Sequence, residues 1–344
     1  MGLPNYYDIS SWDKRDDLHT QGTREKFVVH NSEGRSYYFK SSSISPNYPF
    51  EFWSEIVASQ LGEMLYLPVL RYDIAIFNGK IGCLSESMNS EQNTLTSGYN
   101  YIKQFYPDFQ QDYKKNHTIE RIFGTLRKMH LDDYSINVIA MVLFDCIIGN
   151  TDRHSENWAL LQYNHQIAEQ WNDLMSELPW YEKLWINYWV IKKKTNYTSK
   201  QVRRLFAKST YSFSPFFDNG SSLGRELTEE RISKMLVNNS TFDSYFNNGY
   251  HDIKFRTKKT TFKDTIDILC CDYKSMFEKL LSKHIARYNE KVFSDIIFNI
   301  DSNCPTDFPN DLRLSNERRE FIIKLVTARI GLIFETAKNH GISI

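Results

Sequence analysis

Apolar and polar positions along this chain follow more than one period, and the places where the period changes mark its elements. Phe27-Val28-Val29-His30, the turn Asn31-Ser32-Glu33-Gly34 and Tyr37-Tyr38-Phe39-Lys40 read as a β-hairpin. From Glu51 to Leu65 the period becomes helical. Trp53, Ile56, Val57, Gln60, Leu61 and Met64 fall on one side, and Glu55 lies off that face. Leu67-Pro68 ends the helix. Residues 71–77, the turn Asn78-Gly79 and residues 80–88 predict a second hairpin. Residues 20–88 thus predict a small sheet with one helix.

The stretches on either side are read differently. Residues 1–20 are polar and aromatic, and Asp13-Lys14-Arg15-Asp16-Asp17 reads as a solvated charge cluster. Residues 89–117 read as irregular and polar. Thr118 to His130 is amphipathic, with Ile119, Ile122, Phe123, Leu126 and Met129 on one face. Val138 to Ile148 is apolar apart from Asp145 and predicts a buried helix. Residues 162–210 read as a helical, tryptophan-rich segment. In it Trp185 and Trp189 form a packing face, and Lys192-Lys193-Lys194 is a solvated helix end. Ile266 to His284 and Arg318 to Lys338 predict further helices. The expected architecture is α+β: a β-rich lobe over 1–88, then a larger helical lobe over 89–344.

Composition narrows the function. Lys+Arg is 42 and Asp+Glu is 42, so there is no basic footprint for bulk nucleic-acid binding. Aromatic residues make up 15%, which predicts a folded chain. The five cysteines, Cys83, Cys146, Cys270, Cys271 and Cys304, form no CxxC and no zinc-ligand spacing, and they suit a reducing compartment. The first residues have no basic and apolar regions of a secretory signal. The apolar run before Asn150 is too short for a membrane span. The expected location is cytoplasmic, in its own cell or in one it is delivered to.

The chemistry concentrates after that run, in Asn150-Thr151-Asp152-Arg153-His154-Ser155-Glu156-Asn157. A polar octet between two apolar segments is a loop held at the edge of a core, where functional residues gather. An aspartate followed five residues later by an asparagine is what phosphoryl transfer needs: one orients the attacking hydroxyl, the other holds Mg²⁺. A capped turn at a helix end would use the same residue types. A second acid, Asp218, follows the aromatic run Phe213 to Phe217 and opens the turn Asp218-Asn219-Gly220. An acid there is placed to ligate a metal, although Asp-Asn-Gly is also an ordinary turn. Lys40 ends its strand where it could reach phosphates, or solvent. Lys40, Glu55, Asp152, Asn157 and Asp218 occur in the order of a kinase.

At this point the chain resembles the HipA-like serine/threonine kinases, and within them the shorter CtkA-type members. The resembling residues are Ser54 to Ser59, Gly149 to Trp158, and Ser214 to Leu223, with Lys40 ahead of them. The resemblance covers roughly 20–90 and 118–235. It implies a bilobal protein-kinase-like fold and ATP- and Mg²⁺-dependent phosphorylation of a protein on Ser or Thr. It implies Asp152 as the base, Asn157 and Asp218 as Mg²⁺ ligands, Lys40 as the phosphate lysine and Glu55 as its partner. Gly22 to Lys26, with Thr23, would form the phosphate loop, and His154 would lie at the ATP site. Glu86, Ser87 and Met88 would meet adenine through the backbone.

The chain departs from the family pattern in three ways. The phosphate loop is poor in glycine. The gap between Asn157 and Asp218 is long, which makes 162–210 an insertion. There is no long N-terminal extension for an antitoxin, so no obligate antitoxin is expected. A phosphoinositide or other small-molecule kinase stays open, because lipid kinases also carry a DRHxxN loop. So does a nucleotide-binding pseudokinase. Thr23 and Ser41 to Ser43 are candidate autophosphorylation sites by position alone.

Overall fold

The structure is a computed structural model that describes residues 2–15, 26–41, 48–90, 92–163, 179–181, 207 and 210–342. Its first part is a curled six-stranded sheet. In chain order the strands are β1 (Tyr6–Asp8), β2 (Asp13–Arg15), β3 (Lys26–His30), β4 (Ser36–Ser41), β5 (Asp73–Phe77) and β6 (Lys80–Glu86). In space the order is β1-β5-β6-β4-β3-β2. Only the β1–β5 pair is parallel. The two hairpins form as the turns predict, with Asn78 and Gly79 both in the left-handed region that such a turn requires. Phe27, Val29, Phe39, Ala75 and Leu84 fill one face of the sheet with Ile9.

Several elements differ from the sequence reading. Asp13–Arg15 is an edge strand paired with β3, not a free charge cluster. Three residues are too few to show a period. The described residues of 89–117 are not irregular: they contain β7 (Asn93–Ser97), helix α2 (Gly98–Phe105) and the single turn α3 (Tyr113–Asn116). Helix α1 (Glu51–Met64) is buried on every side rather than on one stripe. It packs on β5 and β6 and against the helix Glu290–Phe298. Trp53 donates its indole N–H to the Leu312 carbonyl, 2.7 Å. Glu55, off the apolar stripe in sequence, is fully buried as well.

The helical part is built around α5 (Ser135–Ile148), whose residues from Val138 to Ile148 are all buried. Helix α4 (Ile119–Lys128) is capped by the Thr118 hydroxyl, which accepts from the Arg121 N–H. The run 266–284 is two helices, Phe262–Asp272 and Lys274–Lys283, broken at Tyr273 without Gly or Pro. The helix Asn316–Asn339 closes the fold. A second sheet has the order β7-β8-β9, with β8 at Ala159–Tyr163 and β9 at Tyr211–Phe213.

The strands β8 and β9 pair antiparallel, Leu160 opposite Phe213 and Gln162 opposite Tyr211. The insertion thus leaves from the end of one strand and returns at the start of its neighbour. Residues 162 and 163 belong to β8, so the helical reading of the segment begins too early. Trp171, Trp185, Trp189 and Lys192 to Lys194 lie outside the described residues. No helix among the described residues is long and apolar enough to cross a membrane.

Candidate active site

Lys40 stands on β4 at the centre of an acid cluster. Its Nζ lies 2.7 Å from Asp218 Oδ1, 2.9 Å from Glu55 Oε1 and 3.2 Å from Glu51 Oε1. The sheet supplies the lysine, α1 supplies both glutamates one helical turn apart, and the turn after β9 supplies the aspartate. Glu51 in turn pairs with Arg225. Three carboxylates thus gather on one ammonium, and one of them also meets Arg225.

The titration of the three groups follows from that sharing. Burial alone would depress Lys40, but Asp218, Glu55 and Glu51 raise it well above its ordinary value. Burial pushes Glu55 up, and Lys40 offsets only part of this. Burial would also raise Asp218, yet Lys40, with Lys26 and Arg153 behind it, holds that carboxyl well below the usual range. Lys40 stays charged and Asp218 stays ionised.

The Asp218 turn is clamped from three sides. Glu55 Oε2 accepts the Asn219 N–H at 2.7 Å. Ser54 Oγ donates to the Ser222 carbonyl at 3.0 Å, and the Leu223 N–H reaches Ile148 O at 2.9 Å. Asp218 itself has φ +55°, a strained conformation for a residue with a Cβ. Gly220 has a steric role. A Cβ there would stand 2.7 Å from Glu51 Cγ and 3.0 Å from Glu55 Oε1.

The octet is held by Arg153, which is fully buried. Its guanidinium forks onto Asp145 of α5 at 2.8 to 3.2 Å. It also donates to Asn219 Oδ1 at 2.6 Å, to Asn157 O at 2.7 Å and to the Phe217 carbonyl. Asp145 further contacts His251 Nε2 at 3.2 Å and accepts from Asn150 Nδ2 at 3.2 Å. One arginine thus ties α5, the octet and the Asp218 turn together.

Within the loop, Asn150 Oδ1 accepts the Asp152 N–H at 3.1 Å, and Asn157 Nδ2 donates to Asp152 O at 2.8 Å. The Asp152 carboxylate is left exposed at the mouth of the loop, with Ser221 Oγ at 3.5 Å. The buried Asn157 has its amide nitrogen committed, which turns its oxygen to the other side. A carboxylate and an amide oxygen are donors of the kind a hard cation such as Mg²⁺ takes, and Asp218 and Asn157 each carry one that could serve. His154 is half-buried beside Glu156, whose N–H it accepts at 3.3 Å.

The residues expected to meet a nucleotide are less gathered. Lys26 opens β3 opposite Lys40, so it is a strand residue rather than part of a loop. Gly22 and Thr23 lie outside the described residues, as do Ser42 and Ser43. Ser41 is buried and donates to Ile81 O at 3.3 Å, which argues against its phosphorylation. Glu86 ends β6 opposite Tyr37, and the Ser87 N–H is already donated to Ser36 O at 2.9 Å. Strand alternation turns the Glu86 peptide groups to the opposite edge. Met88 follows, half-buried.

Sequence reasoning missed Glu51, Arg225, His251 and Asn219. The lone Asp145 inside an apolar run was the available signal, since a buried acid demands a partner.

The comparisons agree with this architecture. A proinflammatory kinase of Helicobacter pylori, CtkA, matches with a TM-score of 0.70 at 17% identity, over 98% of this chain and 97% of that one. HipA of Shewanella oneidensis MR-1, solved with HipB and operator DNA, matches with a TM-score of 0.50 at 10% identity, over 98% of this chain and 70% of that one. No family model matches the sequence, and no curated protein matches it. At these identities the likeness is one of fold, and the chain has the protein-kinase-like fold of the HipA-like kinases.

Proposed function

We propose that this chain is an ATP-dependent protein kinase that phosphorylates Ser or Thr. The observation that carries the reading is the convergence on Lys40 of Glu55 and Asp218, with Asn157 tied to the same turn through Arg153 and Asp152 tied to Asn157. Lys40 would hold phosphate oxygens, and Glu55 and Glu51 would keep its ammonium in place. Asn157 and Asp218 would hold Mg²⁺, which when bound supplies charge neutralisation on the phosphates. Glu86 and Met88 would take adenine through the backbone. Asp152 would orient the acceptor hydroxyl and receive its proton as the new O–P bond forms and the bond to the leaving ADP oxygen breaks. The protein contributes position and charge, with no covalent intermediate.

The test is phosphate incorporation from labelled ATP, wild type beside Asp152→Ala and Asp218→Ala, with Mg²⁺ and with EDTA. Protein substrates and phosphoinositide vesicles are offered in parallel. The proposal expects transfer to protein, silent variants and loss with EDTA. Transfer to lipid alone would make this a lipid kinase. Nucleotide binding with no transfer to any acceptor would make it a pseudokinase.

A further inference from the structure

Away from the cleft, Asp267, Cys271 and His340 converge so that one ligand atom from each lies within 4.8 Å of the others. Asp267 and Cys271 sit one turn apart on the exposed side of the helix Phe262–Asp272, and the other side, Phe262, Ile266 and Leu269, is in the core. His340 is the C-cap of the helix Asn316–Asn339. Its Nε2 is 2.7 Å from Asp267 Oδ1 and 4.0 Å from Cys271 Sγ.

The imidazole is not on a free tail. The His340 N–H is donated to Thr336 O and Ala337 O, at 3.1 and 3.2 Å. Gly341 then turns the chain at φ +66°, and Ile342 is buried with its N–H on Ala337 O. Lys274 donates to the His340 carbonyl at 3.4 Å, on the backbone side of the group. Two helices already fixed by the core therefore present a thiol, an imidazole and a carboxylate to one point.

We infer that Asp267, Cys271 and His340 form a binding site for a zinc-class divalent cation, a tetrahedral ion that would tie the end of the last helix to the helix Phe262–Asp272. The donor chemistry selects the ion. Thiolate and imidazole suit Zn²⁺ and its neighbours, whereas Mg²⁺ takes oxygen donors and would not compete here. Three protein ligands leave the fourth position to water. Cys83, Cys146 and Cys270 are buried and cannot substitute without unfolding.

Co²⁺ is the probe, added to the full chain under a non-thiol reductant, with Zn²⁺ as competitor. The expected result is one equivalent of Co²⁺ with a thiolate charge-transfer band, displaced by Zn²⁺, and a rise in Tm of a few degrees with Zn²⁺. Cys271→Ser removes the band, and His340→Ala and Asp267→Asn each weaken binding at least tenfold. All three positions are at least partly exposed, so the variants keep the fold, and circular dichroism checks this. No band, a band retained in Cys271→Ser, or wild-type affinity in both His340→Ala and Asp267→Asn overturns the site and leaves an ion pair beside a thiol. None of these outcomes depends on phosphoryl transfer.

Discussion

Replacing Arg153 by methionine tests the frame of the site. The change keeps side-chain length and removes the cation that faces Asp145, and with it the donors to Asn157 O, Phe217 O and Asn219 Oδ1. Asp145 would remain fully buried with only His251 and Asn150 for company. Removing one partner of a buried ion pair costs about 3–5 kcal/mol, because the other charge is stranded. Each orphaned buried acceptor adds about 1–3 kcal/mol, without strict additivity. Against a total stability of about 5–15 kcal/mol, the lower figure is already decisive. Urea midpoints and calorimetric Tm measure the loss. The double variant Asp145→Leu with Arg153→Met removes both charges together and should recover the part of the loss that comes from the stranded Asp145 charge, while the acceptors on Asn157, Phe217 and Asn219 stay unpaired. It should not recover phosphoryl transfer, since the Asp218 turn still lacks its anchor. A single-variant loss below about 1 kcal/mol would refute the argument. So would a double variant as unstable as the two singles summed.

Three further outcomes are expected. Gly220→Ala pushes a Cβ into Glu51 and Glu55; overpacking of this kind costs about 1–3 kcal/mol, and kcat should fall at least tenfold while the Tm shift stays small. In Lys40→Met, Asp218 loses the ammonium that holds its carboxyl low, so Mg²⁺ affinity measured by nucleotide titration should weaken as pH is lowered below neutrality, whereas in wild type it stays flat. Burial lowers His117 from 6.5 to about 3, and its Nε2 accepts the Trp158 indole N–H at 3.2 Å. The unfolded chain takes up that proton first, so stability is full above pH about 6.5 and drains as pH falls toward about 3. Calorimetry of His117→Gln across this window should give a flatter curve.

The same pH logic applies to Asp145 with the ordinary acid sign. Burial works to raise its carboxyl, but Arg153 and His251 hold it below the usual range. Its contribution is therefore complete above the unfolded carboxylate value and is lost as pH falls through the lower folded one.

The hairpins and α5 were legible because turn residues and continuous apolar runs are local signals. Asn78-Gly79 and the stretch from Val138 to Ile148 need no knowledge of the rest of the chain. Lys40, Glu55 and Asp218 were legible only through their order. What joins them was not. Glu51 reads as a first-turn helix acid, and nothing local says that it meets Lys40 and Arg225. His251 reaches Asp145 across 106 positions, a contact made by tertiary packing alone. β1 and β2 were missed because three residues cannot display alternation, and their pairing comes from β5 and β3. The break at Tyr273 carries no Gly or Pro to announce it.

The pairing of β8 with β9 makes the stem of the insertion self-sealing. Hydrogen bonds across the stem hold the octet upstream of β8 and the Asp218 turn downstream of β9 in register, whatever lies between Tyr163 and Thr210. Loop closure is forgiving of length, at only about 0.6 kcal/mol per doubling. Shortening the chain between Tyr163 and Ala207 should therefore leave the β8–β9 pairs formed and the acid cluster on Lys40 in its geometry.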